Sequence, residues 1–170
     1  MKKIVTTILI LFLTACNGNG AVEQLKDEYP KVKEVADQLS ESVQEKLGAP
    51  SELPFKPKNV VLTYAGDPPE DPKGDIVHTE FIYGDGVGVN LHITTHHNKN
   101  TSWSSDDKQF KTVKLKNGTK ALIESDNKNT KQIRWKKDGL YYSIMLIKSD
   151  KIEKEYTIED VVKTADSMEY

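Results

Sequence analysis

The sequence predicts an α+β domain: a long N-terminal amphipathic helix, a curved antiparallel sheet of about seven strands, and a short C-terminal helix. Three observations carry the prediction. Apolar side chains recur at steps of three and four through residues 21–47. Short segments between residues 60 and 148 alternate apolar and polar residues and are punctuated by Gly-rich and Asn-Gly or Asp-Gly turns. Near the end, Thr157 followed by Glu159 and Asp160 has the composition of a helix start.

The first helix places Val22, Leu25, Tyr29, Val32, Val35, Ala36, Leu39, Val43 and Leu47 on one stripe. Pro30 interrupts it and either kinks it or opens a second helix in its first turn. Gly48-Ala49-Pro50 ends the helical pattern, and Leu53-Pro54-Phe55-Lys56-Pro57 reads as an extended crossing segment. Residues 60–64 form a first strand, and a Pro-rich loop over 66–74 leads to a second at 75–83.

That second strand pairs with residues 87–95 through Gly84-Asp85-Gly86. The expected register sets Tyr83 opposite Val87, Phe81 opposite Val89 and His78 opposite His92. Residues 111–116 and 119–124 flank Asn117-Gly118, a type I′ signal. Residues 132–137 and 140–148 flank Asp138-Gly139, which sets Trp135 opposite Tyr142 and Ile133 opposite Ile144 on a buried face. In the last helix Ile158, Val161, Val162, Ala165 and Met168 share the inner face.

Composition bounds the function classes. The chain has 170 residues, 36% hydrophobic and 29% charged, as expected of one globular domain with a short arm. Setting aside Lys2 and Lys3, 22 Lys+Arg stand against 26 Asp+Glu, a net −4 beyond residue 15. No basic footprint for nucleic acid is present. Arg134 is the only arginine, so a clamp of several guanidinium groups is excluded. The one cysteine excludes an intramolecular disulfide and a Cys-based zinc site.

That cysteine has a specific setting. Lys2-Lys3 form a positive start, and residues 4–13 are an apolar run of about 15 Å as a helix, half of a ~30 Å hydrocarbon core. The run reads as a signal-peptide h-region. Leu13-Thr14-Ala15-Cys16 then resembles a lipobox, the processing motif of bacterial lipoproteins. The resemblance implies cleavage before Cys16 and its acylation with palmitate-type chains. It also implies anchoring on the extracytoplasmic face of the cell membrane, with Asn17-Gly18-Asn19-Gly20 as a flexible tether. Residues 21–170 then form the single extracytoplasmic domain. Lys-rich, Asn-rich, Arg-poor usage points to a low-GC Gram-positive source.

A second resemblance rests on Asn117-Gly118 with Ala121, Ile133-Arg134-Trp135, Asp138-Gly139-Leu140-Tyr141-Tyr142 and Thr157-Ile158-Glu159-Asp160, leading to Ala165-Asp166-Ser167-Met168. Residues 113–168 resemble an uncharacterised extracytoplasmic domain found in Firmicutes lipoproteins and in anti-sigma-factor-like membrane proteins. Leu53-Pro54-Phe55 resembles its beginning. These are core and turn residues, so the resemblance implies a fold and transfers no catalytic group.

For chemistry, the expected register brings His78, His92 and His96 onto one sheet face, a candidate Zn²⁺ or Cu²⁺ site with His97 or Glu80 as a fourth ligand. A solvated polar face is the competing reading. Trp103 in a polar loop is a candidate contact residue, or else it folds back to pin that loop. G-x-S-x-G, S-x-x-K and phosphate-loop patterns are absent, and Asp106-Asp107 and Glu159-Asp160 read as loop and helix-start charge. The expectation is a non-enzymatic binding or sensing module without a cofactor, its partners the membrane and another envelope protein. The alternatives are a carrier of an apolar ligand in a sheet–helix cavity and a surface immunity or exclusion lipoprotein.

Overall fold

The computed structural model describes residues 20–97 and 110–170, and the elements follow from the sequence in order. Helices α1 (Gly20–Glu28), α2 (Pro30–Gln38) and α3 (Glu41–Gln44) precede the short strand β1 (Ala49–Pro50). Strands β2 (Asn59–Asp67), β3 (Asp75–Gly84) and β4 (Val89–His96) form one meander. Strands β5 (Lys111–Lys114), β6 (Lys120–Asp126), β7 (Thr130–Lys137) and β8 (Leu140–Lys148) form another, followed by α4 (Ile158–Asp166) and β9 (Met168–Glu169). The meanders join where β8 pairs with β4, giving a seven-stranded antiparallel sheet in the order β2-β3-β4-β8-β7-β6-β5. A separate two-stranded sheet pairs β1 with β9. The α+β class, the antiparallel sheet and the C-terminal helix stand as expected.

The long N-terminal helix does not form. Tyr29 adopts extended backbone as the N-cap of α2, with Pro30 at its first position, and Leu39 and Ser40 are extended again between α2 and α3. Proline has no amide hydrogen to continue α1, and its ring fits a first helical turn. The apolar stripe nevertheless survives both breaks: Val22, Val32, Ala36, Leu39, Val43 and Leu47 are all buried. Each piece turns the same face inward, so periodicity persists where helical continuity does not.

The helices cover one face of the sheet. Helix α2 packs on β2, and α4 packs on β7 and β8. Beneath them Leu62, Phe81, Tyr83, Leu91, Ile93, Ile133, Ile144 and Leu146 fill the core. The start of α1 is tied to the last strand: the Ala21 amide donates to Glu169 Oε2 at 2.9 Å while β1 pairs with β9. Thr157 is the N-cap of α4 as its sequence predicts, and Asp160 completes the cap reciprocally by accepting from the Thr157 amide. Lys148 is buried at the end of β8, where its ammonium donates to the Ile152 carbonyl at 3.0 Å and pairs with Glu155 at 3.4 Å. A buried ammonium needs such partners, and satisfying it ties the 149–157 connection to the sheet.

Two hairpins depart from expectation. Between β3 and β4, Asp85 Oδ1 accepts from the amides of Val87, Gly88 and Val89 at 2.8–2.9 Å, and Gly86 and Gly88 take φ of +76° and +137°. This caged loop is longer than a three-residue turn, so Tyr83 meets Leu91 and Phe81 meets Ile93. Each partner lies four residues beyond the one expected. Burial opposes ionisation of Asp85, yet the three amides outweigh it and hold the carboxyl below its ordinary range. At Asn117-Gly118 the positive φ falls on Gly118 alone, with Gly118 N donating to Leu115 O at 2.8 Å. That turn is therefore not type I′, which needs positive φ at both central residues.

Candidate functional site

The displaced register separates the expected metal ligands. His78 pairs with His96, their ring centroids 5.8 Å apart, whereas His92 lies opposite Ile82. His92 Nδ1 instead sits 3.3 Å from Glu80 Oε1, which also accepts from Thr94 Oγ1 at 3.1 Å. Among the described residues no group of three or more His, Cys, Asp or Glu side chains is placed to hold a metal ion. His97 turns to the covered side of the sheet, where its Nε2 and Thr79 Oγ1 share a hydrogen bond of 2.9 Å. Its buried Nδ1 has no partner there. Burial first, then the charge of Lys46 and the neighbouring His96 and His78, push its pKa down to about 4. Cys16 and Trp103 lie outside the described residues.

The sheet face opposite the helices carries a polar row across neighbouring strands: Thr63, Glu80, Thr94, Ser143 and Arg134 are cross-strand partners in turn. Arg134 pairs with Glu124 at 3.0 Å and lies over the Phe110 ring, 5.3 Å from its centroid. Gln132 donates to Ser143 at 3.3 Å. These groups are mutually engaged, which suits a stable open face more than a poised nucleophile.

A cleft of about 560 Å³ opens beside the β7–β8 turn. Asp138 and Gly139, with φ of +50° and +84°, make the tight two-residue turn that their sequence predicts. It sets Trp135 against Tyr142, stacked at 5.7 Å, and Tyr142 meets Tyr170 edge-on at 4.9 Å. Trp135 Nε1 donates to Tyr170 Oη at 3.2 Å. The rings thus fix one wall rigidly. Burial raises the phenol pKa of Tyr142, and burial with the nearby Asp138 and Asp166 pushes Tyr170 up to about 12 against the Trp135 bond; both remain neutral.

Lys46, Lys136, Lys137, Glu45 and Asp138 supply the charge around these rings. Lys137 is committed to Asp138 and to the Tyr170 ring, 4.3 Å below its ammonium, and Lys136 lies 4.8 Å over Tyr141. The ammonium of Lys46, exposed just beyond α3, makes no hydrogen bond or ion pair with a described residue. Apart from the Lys137–Asp138 pair, the cleft thus offers two cations against one carboxylate. The sequence pairs Trp135 with Tyr142 on a buried hairpin face but points to no cleft, whose Lys46 and Tyr170 arrive from elements far away in the chain. The doublet Lys136-Lys137 ahead of a tight turn was the one local signal.

Comparison with known proteins finds no matching family, no matching curated protein and no matching solved structure. Among the described residues no helix is long and apolar enough to cross a membrane.

Proposed function

We propose that the chain is a lipoprotein held to the extracytoplasmic face of the cell membrane through Cys16, and that its domain is a non-enzymatic binding module for another envelope protein. The Leu13-Thr14-Ala15-Cys16 motif supports the anchor. The observation that carries the binding reading is the cleft at the β7–β8 turn, where rigid tyrosine rings lie beside the ammonium of Lys46, which has no side-chain partner among the described residues. Such a surface suits an acidic segment that also brings an apolar side chain: the rings supply contact area, and the lysines supply orientation and sign. Leu39, Leu47, Leu62 and Tyr83, which fill the space between helices and sheet, are each under 2% exposed. This dense interior favours recognition at the rim over carriage of an apolar ligand inside.

The test is capture from native membranes with the anchored protein as bait. Lys46→Glu combined with Lys136→Glu should lower recovery of the partner at least tenfold, since both substitutions reverse charge at the contact, and leave the melting temperature unchanged. Equal recovery by the variant would remove the cleft from the binding surface.

A further inference from the structure

The two edges of the main sheet are built differently. Strand β5 is four residues long, Lys111-Thr112-Val113-Lys114, and carries a lysine at each end. Short length and lysines are the usual protection of a sheet edge against pairing with another chain. Strand β2 has neither. It runs nine residues, Asn59–Asp67, without proline and without charge before Asp67. Among the described residues only β3 pairs with it, and no other main-chain group bonds to the main chain of residues 59–67. The irregularity in this strand pair falls on β3, where Val77 is the extra residue, so β2 itself is continuous. Val61 is 38% exposed along this edge, and Thr63 and Ala65 are exposed beside it.

We infer that the β2 edge, unpaired among the described residues, is an interface that pairs antiparallel with β2 of a second copy of this chain, joining two sheets into one. The sequence of the strand selects that occupant. A two-fold contact needs a surface complementary to itself, and the register that pairs all nine residues turns on Thr63. That register sets Val61 against Ala65, Thr63 against Thr63 and Asn59 against Asp67 on the open face. On the covered side it sets Val60 against Gly66 and Leu62 against Tyr64. No two like charges oppose each other, and the Lys58 end of one copy lies beside the Asp67 end of the other. Apolar positions meet apolar or small ones, the arrangement that stabilises cross-strand pairs.

Cysteine crosslinking of the full chain tests this. In an antiparallel pair the Cα atoms of directly opposed residues lie about 4.5–5.5 Å apart, within disulfide range. Thr63→Cys, oxidised with copper phenanthroline in lysed cells, should give a disulfide-linked band of twice the chain's mass. The parent chain and Thr112→Cys, on the β5 edge, should not. In parallel, detergent-solubilised Thr63→Lys should show half the protein mass of the parent by light scattering, with an unchanged melting curve, because two ammonium groups then face each other. Absence of the Thr63→Cys dimer, equal yield from Thr112→Cys, a crosslinked band of any other mass, or an undiminished mass for Thr63→Lys would overturn the inference.

Discussion

The β3–β4 and β7–β8 hairpins start from similar turn residues and end with different registers. At β7–β8, Asp138-Gly139 makes a two-residue turn, and Trp135 meets Tyr142 as alternation and turn chemistry together require. At β3–β4, Gly84-Asp85-Gly86 reads as a three-residue turn, yet the loop extends through Gly88 because Asp85 collects three amides. The register moves by four residues, an even number, so Phe81, Tyr83, Val89, Leu91 and Ile93 keep the covered face, while Val87 falls in the loop and the bulged Val77 turns outward, 66% and 36% exposed. Alternation thus fixes which residues are buried and leaves their partners open. Side-chain bonds in the loop decide the partners, and here they part His78 from His92.

The largest break in this comparison comes at the well-defined hairpin. Trp135 is 3% exposed and stacks on Tyr142, so Trp135→Ala should destabilise the domain by about 3–5 kcal/mol, read from chemical denaturation. A much smaller loss would mean that the ring wall of the cleft is not part of the core.

Next comes the glycine that the short-turn reading overlooked. At Gly88 an alanine must hold φ near +137° with its Cβ 3.1 Å from the Ser149 side chain, a cost of about 2 kcal/mol. At Gly139 the φ of +84° is milder and nothing lies within 4 Å of the added Cβ, so Gly139→Ala should cost about 1 kcal/mol. Comparing the two melting curves sharpens the contrast. If Gly139→Ala were the more damaging, the caged β3–β4 loop would be the wrong account.

The seven strands and α4 were legible because each carries its own local pattern: alternation for strands, Thr157 with Asp160 for the cap. The breaks in the N-terminal helix were only half legible, since Pro30 announces one while nothing local announces Leu39 and Ser40. The cleft was legible in its rings and illegible in its charge. Lys46 and Tyr170 reach Lys136 through tertiary packing, which no sequence spacing records.

The smallest effect is on pH dependence. The folded protein holds His97 near 4, and burial holds His96 below its ordinary value. An unfolded histidine binds its proton near 6.5, so the unfolded state takes up more protons as the solution is acidified. The histidine contribution should be level above about pH 6.5 and decline toward pH 4, below which protonation of the depressed Asp85 carboxyl continues the loss. Neither ring is fully enclosed, so solvent moderates the loss. His97→Gln should flatten the decline in a melting-temperature titration, and an unchanged slope would assign it to other groups.

Anchoring is the premise on which the membrane role rests, and metabolic labelling with a clickable fatty acid addresses it most directly. The account predicts that the parent chain takes up label and sediments with membranes. Cys16→Ser should lose the label and leave the membrane fraction while its domain melts at the same temperature. Label retained on the serine variant would contradict the anchor.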